Sequence, residues 1–426
     1  MTAAREPAEA LGQLYAAALA FTTFLILGLD GAAWLPRAWR LSTVAFLALA
    51  AAAIVARERI ALARVERIYV AGFALLAAWT AASALWSDVP GTSVLEGERA
   101  LLYAAAVATL LLIVTPSAVP ALLAGTVAGI TGVSAYGLAR YFATGRPENP
   151  FEGRLLFQPF GYANGFGFYA AAAIVLTVGL ALTSRGVTRA VALLPLAVLS
   201  PTLYFTGSRG GALVVVVGGA TLVCLRTRIP HVRAVLAAVL IVGVVAGIAV
   251  ASTAKGLTAP TVSENRPRYW RAAWHEYGQH PVLGSGAGTY YVYWLRYRDI
   301  ASFTRDAHNV YLETLAELGP VGLALVLATL AAPLAAIRGR HDAAAIVPAA
   351  AYVAFLFHAA VEWDWEQPAV TLAGITCGAA LLAATRPATA PAISPKLRVV
   401  IFAAAIALAT LSLVRLANGP RLPFVA

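Results

Sequence analysis

Three short stretches of the chain gather the groups that could do chemistry. The first, residues 202–223, reads TLYFTGSRGGALVVVVGGATLV and sets Arg209 among Gly207, Ser208, Gly210 and Gly211. Glycines let the backbone turn tightly, and a helix that starts there offers free N–H groups at a positive dipole end. A guanidinium at that point can hold phosphate oxygens through paired, charge-assisted hydrogen bonds. It can equally snorkel to lipid headgroups, and these residues alone leave both readings open. The second stretch, 263–288, reads SENRPRYWRAAWHEYGQHPVLGSGAG. Pro267 suits the first turn of a helix and Gly278 its end, and Trp270, Trp274 and Tyr277 would share one face, as at a membrane interface. Arg266 would emerge on the aromatic side, with Arg268 and Arg271 further round, facing either a substrate or lipid headgroups. The third, 302–322, reads SFTRDAHNVYLETLAELGPVG. A neutral imidazole at His308 can accept a proton from a hydroxyl, or His308 and Asn309 simply cap the helix that follows. Glu313 and Glu317 come next at helical spacing, where negative charge settles a helix N-terminus.

Two further places carry weaker signals. Between Arg154 and Asn164 the chain reads RLLFQPFGYAN, and Asn164 enters an apolar run beside Gly165 and Gly167, which suit close helix packing. His358 and Glu362 stand one helical turn apart before EWDWEQP, a spacing that an interface hydrogen bond explains as well as catalysis does.

The elements that must position these groups are membrane helices. The chain is 60% hydrophobic and 12% charged, with a mean hydropathy of +0.77, whereas a soluble domain is about half apolar and about a quarter charged. Hydropathy predicts an all-α polytopic membrane protein of about 12–13 spans. They are expected near 12–34, 38–56, 66–86, 98–114, 117–142, 159–183, 187–206, 209–226, 231–252, 309–337, 343–362, 366–385 and 396–416. This divides the chain into helices 1–9 over 1–252, an extracytoplasmic loop with an interfacial helix over 253–308, and helices 10–13 over 309–426. Cys224 and Cys377 fall inside apolar stretches and read as small core residues.

Arginine placement orients the spans. Arg57, Arg59, Arg64 and Arg67, then Arg185 and Arg189, then Arg226, Arg228 and Arg233, and later Arg338, Arg340, Arg386 and Arg398 fall on one side, the cytoplasmic one. Against that signal, Arg154, Arg209, Arg266, Arg268 and Arg305 fall on the outer side. Cations kept there point to an anionic substrate. No internal repeat is visible, which disfavours an inverted-repeat transporter.

Taken in order, these motifs resemble the O-antigen ligase family, part of a wider group with the lipid-linked polysaccharide polymerases. The family's histidine, an Asn or similar residue, nine residues and a G-x-x-G are matched by His308-Asn309 and, nine residues on, Gly319-Pro320-Val321-Gly322. Its glycine-flanked arginine is matched by Gly207-Ser208-Arg209-Gly210, and its loop arginine ahead of a tryptophan by Arg266-Pro267-Arg268-Tyr269-Trp270. The resemblance implies a GT-C-like, metal-independent glycosyltransferase, with no cofactor and no nucleic-acid partner. It would take a glycan from an undecaprenyl-diphosphate carrier at the outer face of the cytoplasmic membrane and pass it to a hydroxyl of a glycolipid or glycan acceptor. It implies Arg209 and Arg266 as diphosphate-binding residues and His308 as base. Arg154, Asn164, Arg268, Arg305, Asn309 and Glu313 are the expected substrate contacts. The absence of any evident acidic cluster for a divalent ion fits fixed guanidinium groups as the charge stabilisers. A polymerase using the same donor, and an exporter of lipid-linked glycans, are the alternatives. The span at 396–416 is a departure from the better-known ligases, which end in the cytoplasm.

Overall fold

The computed structural model describes residues 5–146, 148, 152–227, 265–337 and 342–418. Fifteen α-helices occur among them. They are α1 (Arg5–Leu29), α2 (Pro36–Ala56), α3 (Arg64–Ala82), α4 (Pro90–Ile113), α5 (Val119–Ala143), α6 (Ala163–Thr183), α7 (Gly186–Leu193), α8 (Leu196–Thr206) and α9 (Arg209–Arg226). After them come α10 (Arg266–Gln279), α11 (Tyr290–Tyr297), α12 (Val310–Ala335), α13 (Ala343–His358), α14 (Pro368–Ala384) and α15 (Pro395–Asn418). The expected ninth span, 231–252, lies outside the described residues, as do Arg228, Arg233, Arg338 and Arg340.

Nine helical stretches among the described residues are long and apolar enough to cross a membrane, and α13 and α14 are shorter apolar helices. The protein is an all-helical polytopic membrane protein. Two helices depart from the expected spans. α4 begins well before residue 98 and brings Glu96, Glu98 and Arg99 into the bundle. The stretch expected as one span at 187–206 is broken at Leu194–Pro195, because proline lacks the N–H that would continue the helical ladder.

α6 and α14 are apolar on all sides and buried almost throughout, so they occupy the centre. α5, α8, α9 and α13 pack around α6, and α14 touches α4, α5, α6 and α13. α10 and α11 pack on each other and on the first half of α12, through Tyr269, Ala272, Ala273, Tyr290, Trp294, Leu312 and Ala316. The buried face of α10 is therefore Tyr269–Ala273–Glu276, with Trp274 left exposed.

Arginines on the expected cytoplasmic side fasten helix ends. Arg57 donates to the carbonyls of Leu112 and Ile113 at 2.9 and 2.5 Å, and Arg386 to those of Leu111 and Val114 at 2.9 and 3.2 Å. All four carbonyls belong to the end of α4, where unsatisfied acceptors and the negative dipole end favour cations. Arg386 is also paired with the buried Glu66 at 2.7 Å.

The G-x-x-G of the third stretch makes a kink. Gly319 sits inside α12 at φ 66°, ψ −173°, a conformation essentially reserved for glycine. A Cβ there would lie 2.6 Å from the Val282 carbonyl oxygen. Pro320 removes one further N–H, and the carbonyls of Ala316 and Glu317 accept instead from Ser285 and Gly286 at 3.2 and 2.8 Å. The PVLGSG loop is thus docked into the break. Glu317 adds to the docking by accepting from the N–H groups of Gly288 and Tyr290, both at 2.8 Å, at the start of α11.

Candidate active site

Residues from four separate stretches converge on one buried acid, Glu362, which is 1% exposed. It lies in the turn that follows α13. Arg266, the first residue of α10, pairs with its carboxylate and also donates from Nε to the Val361 carbonyl at 2.6 Å. Asn164, in the first turn of α6, donates to Glu362 Oε1 at 3.3 Å, and Tyr162 donates to Oε2 at 3.1 Å. The Asn164 amide also donates to the Tyr162 hydroxyl at 2.9 Å. Burial lifts the Glu362 carboxyl above its ordinary pKa, while the Arg266 charge pulls against that shift.

The N-terminus of α9 reaches the same place. Ser208 caps it by accepting from the Gly211 N–H at 2.9 Å. A Cβ on Gly210 would stand 3.0 Å from the His358 ring and 3.5 Å from Glu362 Cγ. Gly167 makes this approach possible, because a Cβ at that point of α6 would overlap Ser208. Arg209, the residue before Gly210, is exposed and has no hydrogen-bond or ion-pair partner among the described residues.

His308 stands two residues before α12 at φ 58°, in the left-handed region, where a non-glycine residue is uncommon. Two contacts hold that turn. Glu313 accepts from the Ala307 N–H at 2.6 Å, and the Asn309 side-chain oxygen caps α12 by accepting from Tyr311 and Leu312, both at 3.0 Å. His308 Nδ1 lies 3.1 Å from the Asp306 carbonyl oxygen. A carbonyl can only accept, so Nδ1 carries the proton and Nε2 presents a lone pair. The ring packs on Tyr269 at 4.8 Å, one turn along α10 from Arg266, and lies 6.5 Å from Trp363. Burial first, and the Arg266 charge second, push the imidazole pKa down from 6.5 to about 3. His308 is neutral at pH 7.

Aromatic rings line this region. Trp363 packs on Tyr162 at 4.7 Å and on Trp34 at 5.5 Å, and Arg305 lies over Trp34 at 5.8 Å.

Of the residues expected to carry function, the fold brings together Arg266, Asn164 and His308, and Arg209 begins the helix whose next residue, Gly210, lies against Glu362. Arg305 borders them on the Trp34 side. Asn309 and Glu313 lie directly beneath His308, but their described hydrogen bonds go to backbone N–H groups. Arg268 is paired with Asp299 at 2.9 Å and Asn265 at 3.1 Å. Arg154 is 75% exposed and pairs with Glu148 at 3.6 Å, outside the Glu362 cluster.

Sequence reading left Glu362 out of the expected contacts. It noted Glu362 with His358, yet their side chains go separate ways: His358 Nε2 meets Asp364 at 2.9 Å. Tyr162 and Trp363 were missed as well. The one available signal was the aromatic and acidic density of EWDWEQP.

A second correction concerns acidic groups. Asp306, Glu313 and Glu366 are all buried and place carboxylate oxygens within 4.8 Å of one another. They come from a loop, a helix and a distant turn, so no spacing in the sequence announced them. Arg99 inserts from α4, donating to Glu366 at 2.7 Å and pairing with Glu96. Burial, and next the nearby Glu366 charge, raise the Asp306 carboxyl well above its ordinary range, so a proton relieves part of the repulsion.

No curated protein matches the chain. Residues 194–327 match the family model described as O-antigen ligase. That interval spans α8 to the kink of α12 and contains Arg209, Arg266 and His308. A function of the ligase or polymerase type, acting on lipid-linked glycan, follows at that level. Over residues 194–327 the chain is therefore similar to the O-antigen ligase family.

Proposed function

We propose that the protein is a glycosyltransferase that moves a glycan from an undecaprenyl-diphosphate carrier to an acceptor hydroxyl at the outer face of the cytoplasmic membrane. The observation that carries this reading is the meeting at Glu362 of Arg266, Asn164 and the N-terminus of α9, whose first residue is Arg209, with a neutral imidazole at His308 beside Arg266.

Each part has a role that follows from its chemistry. Breaking the sugar–phosphate bond leaves negative charge on the lipid diphosphate. Guanidinium groups placed where that charge develops stabilise it. Arg209 offers a guanidinium unpartnered among the described residues, and Arg266 one oriented by Glu362 and Val361. Glu362 thus acts as a positioning residue.

His308 takes the proton of the acceptor hydroxyl on Nε2 as oxygen attacks the anomeric carbon. A pKa near 3 makes His308 a weak base before the donor binds. A bound diphosphate offsets the Arg266 charge that helps depress it, so donor binding strengthens the base when it is needed. Attack opposite the departing diphosphate gives a single displacement with inversion.

The aromatic wall of Trp34, Tyr162 and Trp363 suits the apolar faces of sugar rings. The acceptor can be a distinct glycolipid or a growing chain of the same glycan. Purified protein supplied with one lipid-linked repeat separates these: a ligase makes no product until a foreign acceptor is added, whereas a polymerase makes longer chains. Counterflow of labelled lipid-linked glycan across proteoliposomes, with no bond exchanged, would overturn the enzyme reading in favour of an exporter.

A further inference from the structure

On the other side of α4 from the acidic cluster, α2, α3, α4 and α15 line a half-open chamber of about 660 Å³. That lies within the ~300–1,000 Å³ typical of small-molecule sites. Its walls are almost wholly apolar and owe their recess to small residues, among them Ala74 and Ala78 of α3 and Ala104 and Ala108 of α4. Along α15 the lining runs from Val400 to Arg415, about 22 Å at the rise of an α-helix. That is more than half of a ~30 Å hydrocarbon core, the depth of the chains of one leaflet.

One end of the chamber is charged. Arg40, near the start of α2, donates from Nε to Glu98 Oε2 at 2.7 Å, and Arg415, in the last turn of α15, donates to Glu98 Oε1 at 2.6 Å. Two guanidinium groups share one carboxylate, leaving one net positive charge. Arg40 is 5% exposed, and its Nη2 has no hydrogen-bond partner among the described residues. The net positive charge thus lies on a largely buried guanidinium, and an anionic group bound beside it offsets the cost of that burial. Glu98 adjoins Arg99 on α4, so this end stands at the same membrane face as the His308 site.

We infer that this chamber is a binding site for an anionic membrane phospholipid, its chain lying between α3, α4 and α15 and its phosphodiester on Arg40 and Arg415. The single net positive charge matches a monoanionic phosphodiester rather than a diphosphate. The site is separate from the one that would bind the glycan donor, and α15, the span beyond those expected of the better-known ligases, supplies one of its walls and one of its cations.

Native mass spectrometry of the purified full chain, titrated with phosphatidylglycerol or with zwitterionic phosphatidylethanolamine, tests this. Wild type should hold one phosphatidylglycerol in preference to phosphatidylethanolamine. The double variant Arg40→Gln/Arg415→Gln should bind phosphatidylglycerol about tenfold more weakly, the scale of one lost charge-assisted contact. Ala404→Phe fills the apolar end, leaves the ion pairs in place, and should displace the lipid as well. Equal phosphatidylglycerol retention by wild type and both variants would overturn the inference. So would displacement of phosphatidylglycerol by an equal concentration of a polyprenyl phosphate.

Discussion

Arg266 and Glu362, 96 residues apart in the chain, form an ion pair at the point where α6, α9 and α10 meet. The guanidinium that a diphosphate would seek is thus already held by a buried carboxylate, which orients it and competes with the ligand for it. Glu362→Gln should separate the two effects. The donor KM should fall, because the competing charge is gone. The kcat should fall by about 10²-fold, because Arg266 loses its orientation. An unchanged kcat would show that Glu362 has no positioning role.

The catalytic assignment itself predicts two different kinetic signatures. His308→Gln should lower kcat by ~10²–10⁴-fold, the usual worth of a general base, with donor binding retained. Arg209→Ala and Arg266→Ala should each lower kcat by ~10²-fold or more and weaken donor binding too. Transfer in a membrane-inserted, correctly folded variant set measures this, and wild-type rates in all three would refute the assignment.

Burial of His308 as a neutral ring makes stability depend on pH. Its folded pKa of about 3 lies below its ordinary 6.5. Between those values the unfolded chain binds a proton that the folded protein does not. Stability from this group is therefore present above pH 6.5 and declines as pH falls toward 3. Melting temperatures in detergent should drop on acidification from pH 7.5 to 4.5, and the drop should be shallower in His308→Gln. Parallel curves for the two proteins would count against a buried neutral His308.

Gly319→Ala should destabilise the fold by at least ~1–3 kcal/mol, since its φ/ψ region is strained for any residue with a Cβ. The added carbon also meets the Val282 carbonyl at 2.6 Å, so the PVLGSG loop must lift from α12. Thermal unfolding and protease susceptibility of residues 281–288 report on this. Val321→Ala, at an exposed position in the same turn, is the control: the kink account expects loop release from Gly319→Ala alone, and equal release by both variants would contradict it.

Much of this architecture was legible before any coordinates. Apolar runs long enough to span a bilayer declare themselves in any sequence, because lipid leaves the backbone no alternative to helix. The expected span 209–226 coincides with α9, and α10 starts and ends where Pro267 and Gly278 suggest. The spacing from His308 to Gly319, with Arg209 and Arg266 in order, marks these three as the candidate cations and imidazole.

Other features belonged to tertiary structure alone. α6 and α14 are apolar all round, so their sequences contain no direction that says which neighbour each face will meet. The choice of Glu362 as the partner of both Arg266 and Asn164 follows from packing, permitted by the missing side chain at Gly165, where a Cβ would meet Gln367 and Asp364. The gathering of Asp306, Glu313 and Glu366 around Arg99 arises in the same way, from segments that spacing cannot connect. Hydrophobic pattern and local motifs determined which groups sit at the ends of which helices. Which ends come together was decided by close packing in three dimensions, because helix periodicity encodes a face and never its partner.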